Sequence, residues 1–159
     1  MDSLVLPALI LVPLIGAIVT LFMGGNRQKY ANLVALVFTV ITLAISVVLM
    51  INGNNLEQFN FESAWIDAAG LKMSFIFTVD GLSILMVFRT AMLEVLVIAF
   101  SYKESDRPHY FYSLLLAIEV GLMGVYLAAD YFLFYIMWEV SLIPMYFLIS
   151  WYGGPRRHY

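Results

Sequence analysis

Apolar residues in this chain come in long unbroken runs, not in alternation. Five runs stand out: Leu4–Met23, Ala31–Ile51, Leu82–Phe100, Phe111–Ala129 and Tyr131–Trp151. Each is close to the roughly 20 residues a helix needs to cross the hydrocarbon of a bilayer. The pattern predicts an all-α, polytopic membrane protein forming a single membrane domain over 1–159. Its five transmembrane helices are expected at about 4–23, 31–51, 82–100, 111–129 and 131–151. Pro7 and Pro13 fit the first run, because membrane helices tolerate proline better than soluble ones do. The one sizeable connection is an outer loop, 52–81. In it, QFNFESAW and LKMSFIF flank a turn-prone DAAG. That pattern predicts either a short β-hairpin or an irregular loop with an amphipathic stretch.

Composition agrees with the pattern. The chain is 63% hydrophobic and 12% charged, with mean hydropathy +0.91. Soluble domains are typically about 45–50% apolar and about 25% charged. With no Cys, a disulfide, a thiolate metal site and a cysteine nucleophile are all excluded. The start, MDSLVLPALI, carries Asp2 and lacks the basic region of a secretory signal, so the first run reads as a retained helix. His109 and His158 are separated and do not make a metal site. No motif points to phosphate, nucleic acid or a redox cofactor.

Charge sorts by side. Arg27 and Lys29, then Lys103 and Arg107, then Arg156 and Arg157 share one side if five helices alternate. The other side holds only Lys72, and Arg89 lies inside a run. The excess of basic residues marks the cytoplasmic side and leaves the amino terminus outside. Tyr30, Tyr102, Tyr110, Tyr112, Trp151 and Tyr152 sit at run ends, where aromatic belts form.

Four ionisable residues fall within the runs. Glu139 sits in the middle of the fifth, with the helix breaker Pro144 five residues on. An ionisable group there costs at least roughly 2.5–3.5 kcal/mol. Glu119 lies on the fourth run. The tight turn around Asp130 makes the fourth and fifth helices antiparallel neighbours. At a rise of about 1.5 Å per residue, Glu119 is about 15 Å deep and Glu139 about 12 Å. Arg89 and Glu94, on the third run, are about 10 Å and about 18 Å deep. Three readings are open: a proton or ion path, a structural ion pair through Arg89, and charges satisfied by a partner helix. Arg89 and Glu94 read as structural or modulating, since a spacing of five turns them about 140° apart. Asp130 reads as an interfacial residue or a cap of the fifth helix. Gly121 and Gly124 offer a small-residue face for close helix packing.

The stretch from Asp80 to Tyr159 carries DGLSILMVF, then GVYLAADYFLFYIMWEVSLIPMYFLISWYGG. It resembles the amino-terminal part of the antiporter-like proton-translocating subunits of complex I-type quinone oxidoreductases, chain M or chain 4. Their family also includes membrane subunits of multisubunit sodium/proton antiporters. The resemblance implies that Glu139 is the proton-transferring glutamate of the fifth helix, paired with a lysine on a later helix. It places Asp80 at the aspartate that opens the third helix, and Glu119 at a possible relay position. Arg89 and Glu94 depart from the family pattern. The family protein is much longer, which implies a fragment, a truncated chain or a split gene, and so a scaffold as one alternative. The other alternative is an antiporter subunit with no redox partner. The implied partners are the lipid bilayer, other membrane subunits and the remainder of a family-length chain. Flavin, iron–sulfur clusters and quinone would sit on other subunits. The implied location is the plasma membrane, or an energy-transducing organelle membrane in a eukaryote.

Overall fold

The computed structural model describes residues 4–52, 56, 58–68, 71–102 and 107–153. Five helices form: α1 (Val5–Leu21), α2 (Ala31–Ile51), α3 (Gly81–Phe100), α4 (Pro108–Leu127) and α5 (Tyr131–Tyr152). The last four are long and apolar enough to cross a membrane. The first has 17 residues, about 26 Å of helix. The outer loop holds an antiparallel hairpin, β1 (Phe61–Ala68) and β2 (Leu71–Phe77), in the register Phe61 opposite Phe77. An irregularity between Ala64 and Ile66 interrupts the pairing. Lys103, Arg156, Arg157 and His158, and the side chain of Lys72, lie outside what is described.

Local chemistry explains the helix ends. α4 begins three residues before the apolar run, because Pro108 takes its first turn. Proline is preset for that position and needs no amide hydrogen there. Arg107 precedes it in a left-handed conformation, φ 49°. α4 stops at Leu127, two residues short of the run's end, because Ala128 becomes extended and bridges to Phe77. Thr78 N–H donates to the Leu127 carbonyl and Ala129 N–H to the Ile76 carbonyl, both at 2.9 Å. The hairpin is thereby tied to the α4–α5 connection. Asp80 caps α3, accepting from Leu82 N–H at 3.0 Å and Ser83 N–H at 2.7 Å, while Ser83 Oγ accepts from Asp80 N–H at 2.8 Å. Asp130 caps α5, accepting from Phe132 N–H at 2.8 Å and Leu133 N–H at 3.2 Å.

α4 is the central helix and packs against α1, α2, α3 and α5, while α2 also packs against α1 and α3. Side chains also pin helices together, among them Asn32 and Ser113 within the spans, and Tyr112 and Tyr152, which donate to the Ser101 and Arg107 carbonyls at helix ends. Asn32 Nδ2 donates to the Ile98 carbonyl at 2.9 Å, joining α2 to α3. Ser113 Oγ donates to the Ala17 carbonyl at 2.8 Å, joining α4 to α1.

Candidate functional site

The apolar interior is divided in two. The cluster nearer the hairpin includes Leu6, Leu9, Leu49, Val87, Ala91, Val120 and Met123. The cluster nearer the opposite end includes Ala17, Ala31, Ala35, Ile98, Leu115 and Leu116. Between them each of three helices places buried polar residues. α2 contributes Thr39, Thr42 and Ser46, α3 contributes Glu94, and α4 contributes Glu119. The three hydroxyls already donate to carbonyls of their own helix, at 2.7–3.2 Å. A hydroxyl has one proton to donate, so none is left for the acids.

Glu119 is 0% exposed and Glu94 9%. Both oxygens of Glu119 and Oε1 of Glu94 have no hydrogen-bond partner. The two acids are within electrostatic reach of each other. Helix direction brings them together. Glu94 lies about 9 Å from the Phe100 end of α3, and Glu119 about 16 Å from the Pro108 end of α4. Helical side chains tilt toward their own amino terminus, and α3 and α4 run in opposite directions. The two side chains therefore tilt toward each other across that gap.

Arg89 is exposed. The 140° separation turns Glu94 inward and Arg89 outward, and no guanidinium reaches the oxygens of Glu119. The inward role of Glu94 is not evident from its spacing to Arg89. It is visible in the stripe Ile84, Val87, Ala91, Glu94 and Ile98, the buried face of α3 at helical spacing.

Glu139 occupies a different environment. α5 packs chiefly on α4, and Glu139 is exposed. The seam runs through Gly121 and Gly124. A Cβ on Gly121 would meet Ser141 Cβ at 2.6 Å, and one on Gly124 would meet Met137 Cγ at 2.5 Å. Glu119 is two residues from Gly121, and Glu139 two from Ser141. Two residues turn a helix by about 200°. Glu119 and Glu139 therefore point to opposite sides of the seam despite their similar depth. Pro144 is buried in α5. Its missing amide hydrogen leaves the Val140 carbonyl without its regular helical donor.

No protein-family model matches the chain. In fold, the chain is similar to one from respiratory complex I of Thermus thermophilus, with TM-score 0.79 and 24% identity, covering 99% of this chain and 30% of that one. It is also similar to a chain of the membrane-bound sulfane sulfur reductase, an archaeal respiratory membrane complex, with TM-score 0.75, 19% identity, and 97% and 24% coverage. The shared fold and the four helices long and apolar enough to cross a membrane thus define a class, the multi-pass helical membrane proteins. Sequence narrows it. NADH-quinone oxidoreductase subunit M of Escherichia coli is 38% identical over 160 residues, 94% of this chain and 31% of the relative. The F(420)H(2) dehydrogenase subunit M of Methanosarcina mazei is 32% identical over 94% of this chain. A chain 4 of NAD(P)H-quinone oxidoreductase from Nostoc is 40% identical over 64%. Over the matched length this chain is a homologue of the subunit M and chain 4 proteins. It spans about a third of the length of the curated relative from Escherichia coli.

Proposed function

We propose that this chain is part of a proton-translocating membrane subunit in a quinone-reducing dehydrogenase complex, where electron transfer elsewhere drives proton movement. The observation that carries this reading is the 38% identity to a subunit M over 94% of the chain. Relatives at similar identity are named for different donors, NAD(P)H and F(420)H(2). What they have in common is the membrane segment, so proton movement is the role that fits it. Redox chemistry belongs to other subunits, which would carry flavin, iron–sulfur clusters and quinone; this chain has no Cys to ligate a cluster. Glu139 is the proton-transferring group in this reading, with Glu119 as a possible relay. Its exposed position on α5 suits a group that meets its basic partner on a neighbouring helix, from the remainder of a family-length chain or from another membrane subunit. Asp80 and Pro144 shape the helices that carry the acids. The basic connections, with Arg27, Lys29 and Arg107, face the cytoplasm and the amino terminus lies outside, in the plasma membrane or, in a eukaryote, an energy-transducing organelle membrane.

The test is Glu139→Gln in the assembled complex, with quinone reduction and proton uptake into vesicles measured together. Pumping that falls at least tenfold, in a complex that still assembles, supports the reading. Unchanged pumping per electron overturns it and leaves a scaffold role.

A further inference from the structure

We propose that Glu94 and Glu119 form a second, buried proton-binding site that holds one proton between the two carboxyl groups, apart from Glu139. Glu119 is fully buried and Glu94 is more than nine-tenths buried, and three of their four oxygens lack any hydrogen-bond partner. Independently, the interior is built around them, because the two apolar clusters end on either side of Glu94 on α3 and of Glu119 on α4. At the same level α2 spends its hydroxyls on its own backbone. Among the described residues Thr90, one turn before Glu94 on α3, is the remaining buried hydroxyl beside this layer, and it makes no hydrogen bond to Oε1 of Glu94 or to either oxygen of Glu119.

Two carboxylates within electrostatic reach of each other in a low-dielectric interior cannot both stay ionised without a cation. Among the described residues no cation is at hand. α1 and α2 carry no Asp, Glu, Lys, Arg or His within their helical bounds. On α3, Arg89 faces outward. On α4, His109 lies about 15 Å along the helix from Glu119. Of the tyrosines on α4, Tyr110 packs edge-on to Trp151, Tyr112 donates to the Ser101 carbonyl and Tyr126 packs against the hairpin-side cluster. α5 brings one charged residue, Glu139, on the far side of the seam; its Tyr131, Tyr135 and Tyr146 are exposed, and Tyr152 donates to the Arg107 carbonyl. One proton resolves the conflict. It converts one acid into an O–H donor and leaves the other as acceptor, so repulsion between like charges becomes a charge-assisted hydrogen bond. The site binds a proton and not a metal ion in this account, because two carboxylates supply too few oxygens for a hard cation, and the neighbouring hydroxyls are engaged.

Infrared spectroscopy of the full chain in lipid vesicles tests this, with Glu carried as the carboxyl-labelled isotopomer. At neutral pH a protonated-carboxyl C=O band is expected that shifts in deuterium oxide. It should survive Glu139→Gln and vanish in the Glu94→Gln/Glu119→Gln double variant. If the double variant does not fold, Glu119→Asp alone should shift the band, since one methylene fewer lengthens the hydrogen bond. No such band, an unmoved band in Glu119→Asp, or loss of the band in Glu139→Gln overturns the proposal. Displacement of the band by sodium chloride at constant pH also overturns it, because a cation would then be the ligand. The readout is protonation, not pumping, so its failure leaves the role proposed for Glu139 untouched.

Discussion

Gly121 of α4 faces the backbone of Ser141 of α5 so closely that a Cβ added to the glycine would lie 2.7 Å from both the nitrogen and the Cα of Ser141. Backbone cannot swing aside as a flexible side chain can. This contact sets the α4–α5 seam and, through it, the opposite orientations of Glu119 and Glu139.

Gly121→Ala is therefore expected to lower stability by about 1–3 kcal/mol, the usual range for an overpacked interior. Gly81→Ala is the matching control, since nothing lies within 4 Å of a Cβ at Gly81, at the start of α3. Thermal unfolding of the purified chain in detergent should show a clear fall in Tm for the first and little change for the second. Equal effects would mean that the seam is looser than described.

The capping box at α3 has its own signature. Hydrogen bonds from the Ser83 backbone and side chain, the strongest influences on it, hold the Asp80 carboxyl below its ordinary value of 3.8. A group whose folded value is depressed stabilises the fold fully above its unfolded value, and loses that effect as pH falls through the lower folded value. Asp80→Ala should cost about 1 kcal/mol near neutral pH. The difference from wild type should hold constant down to about pH 5 and shrink below about pH 4. Urea unfolding across that range measures it. A gap that widens in acid would contradict the assigned hydrogen bonds.

Much of this was legible in the chain. Run length marked the five helices, because a bilayer-spanning helix needs an apolar face on every side. DAAG between two strand-like stretches left a hairpin and an irregular loop open, and the structure has the hairpin. Asp130 just before an apolar run marked a helix cap. The pairing of the acids was harder to see. Depth counted along each run puts Glu119 and Glu139 level, but depth carries no azimuth. Only the glycine seam shows that they diverge. Glu94 is 140° from Arg89, which says that one of them faces inward without saying which. The tie between Thr78 and Leu127, which ends α4 early, joins residues 49 apart and leaves no local trace.

Two cross-helix hydrogen bonds should count for more than the many hydroxyls bonded within a helix. Asn32→Leu removes the bond to Ile98, and Ser113→Ala the bond to Ala17. Inter-helix bonds in membrane proteins average about 0.6 kcal/mol, so each variant should lose on that order. Ser141→Ala removes only a bond to Trp138, three residues back on its own helix, and should lose less. Unfolding of the three variants in one detergent gives the ranking. Ser141→Ala as the most damaging of the three would invert it.

The chain contains no native cysteine, so cross-linking can read the orientation of α4 and α5 without background. A Cβ at Gly124 would lie 3.0 Å from Met137 Cβ, slightly inside the usual 3.5–4.5 Å separation for a disulfide. A small outward adjustment brings Gly124→Cys/Met137→Cys into range, and mild oxidation should cross-link it nearly completely. Glu119→Cys/Glu139→Cys lies at matched depth on the same two helices. If depth alone decided contact, it too would cross-link. The 200° turn from the seam on each helix places the two thiols on opposite sides, so this pair is expected to stay reduced. Efficient cross-linking of the 119/139 pair would show the acids facing each other across α4 and α5, and would remove Glu119 from the interior it is held to share with Glu94.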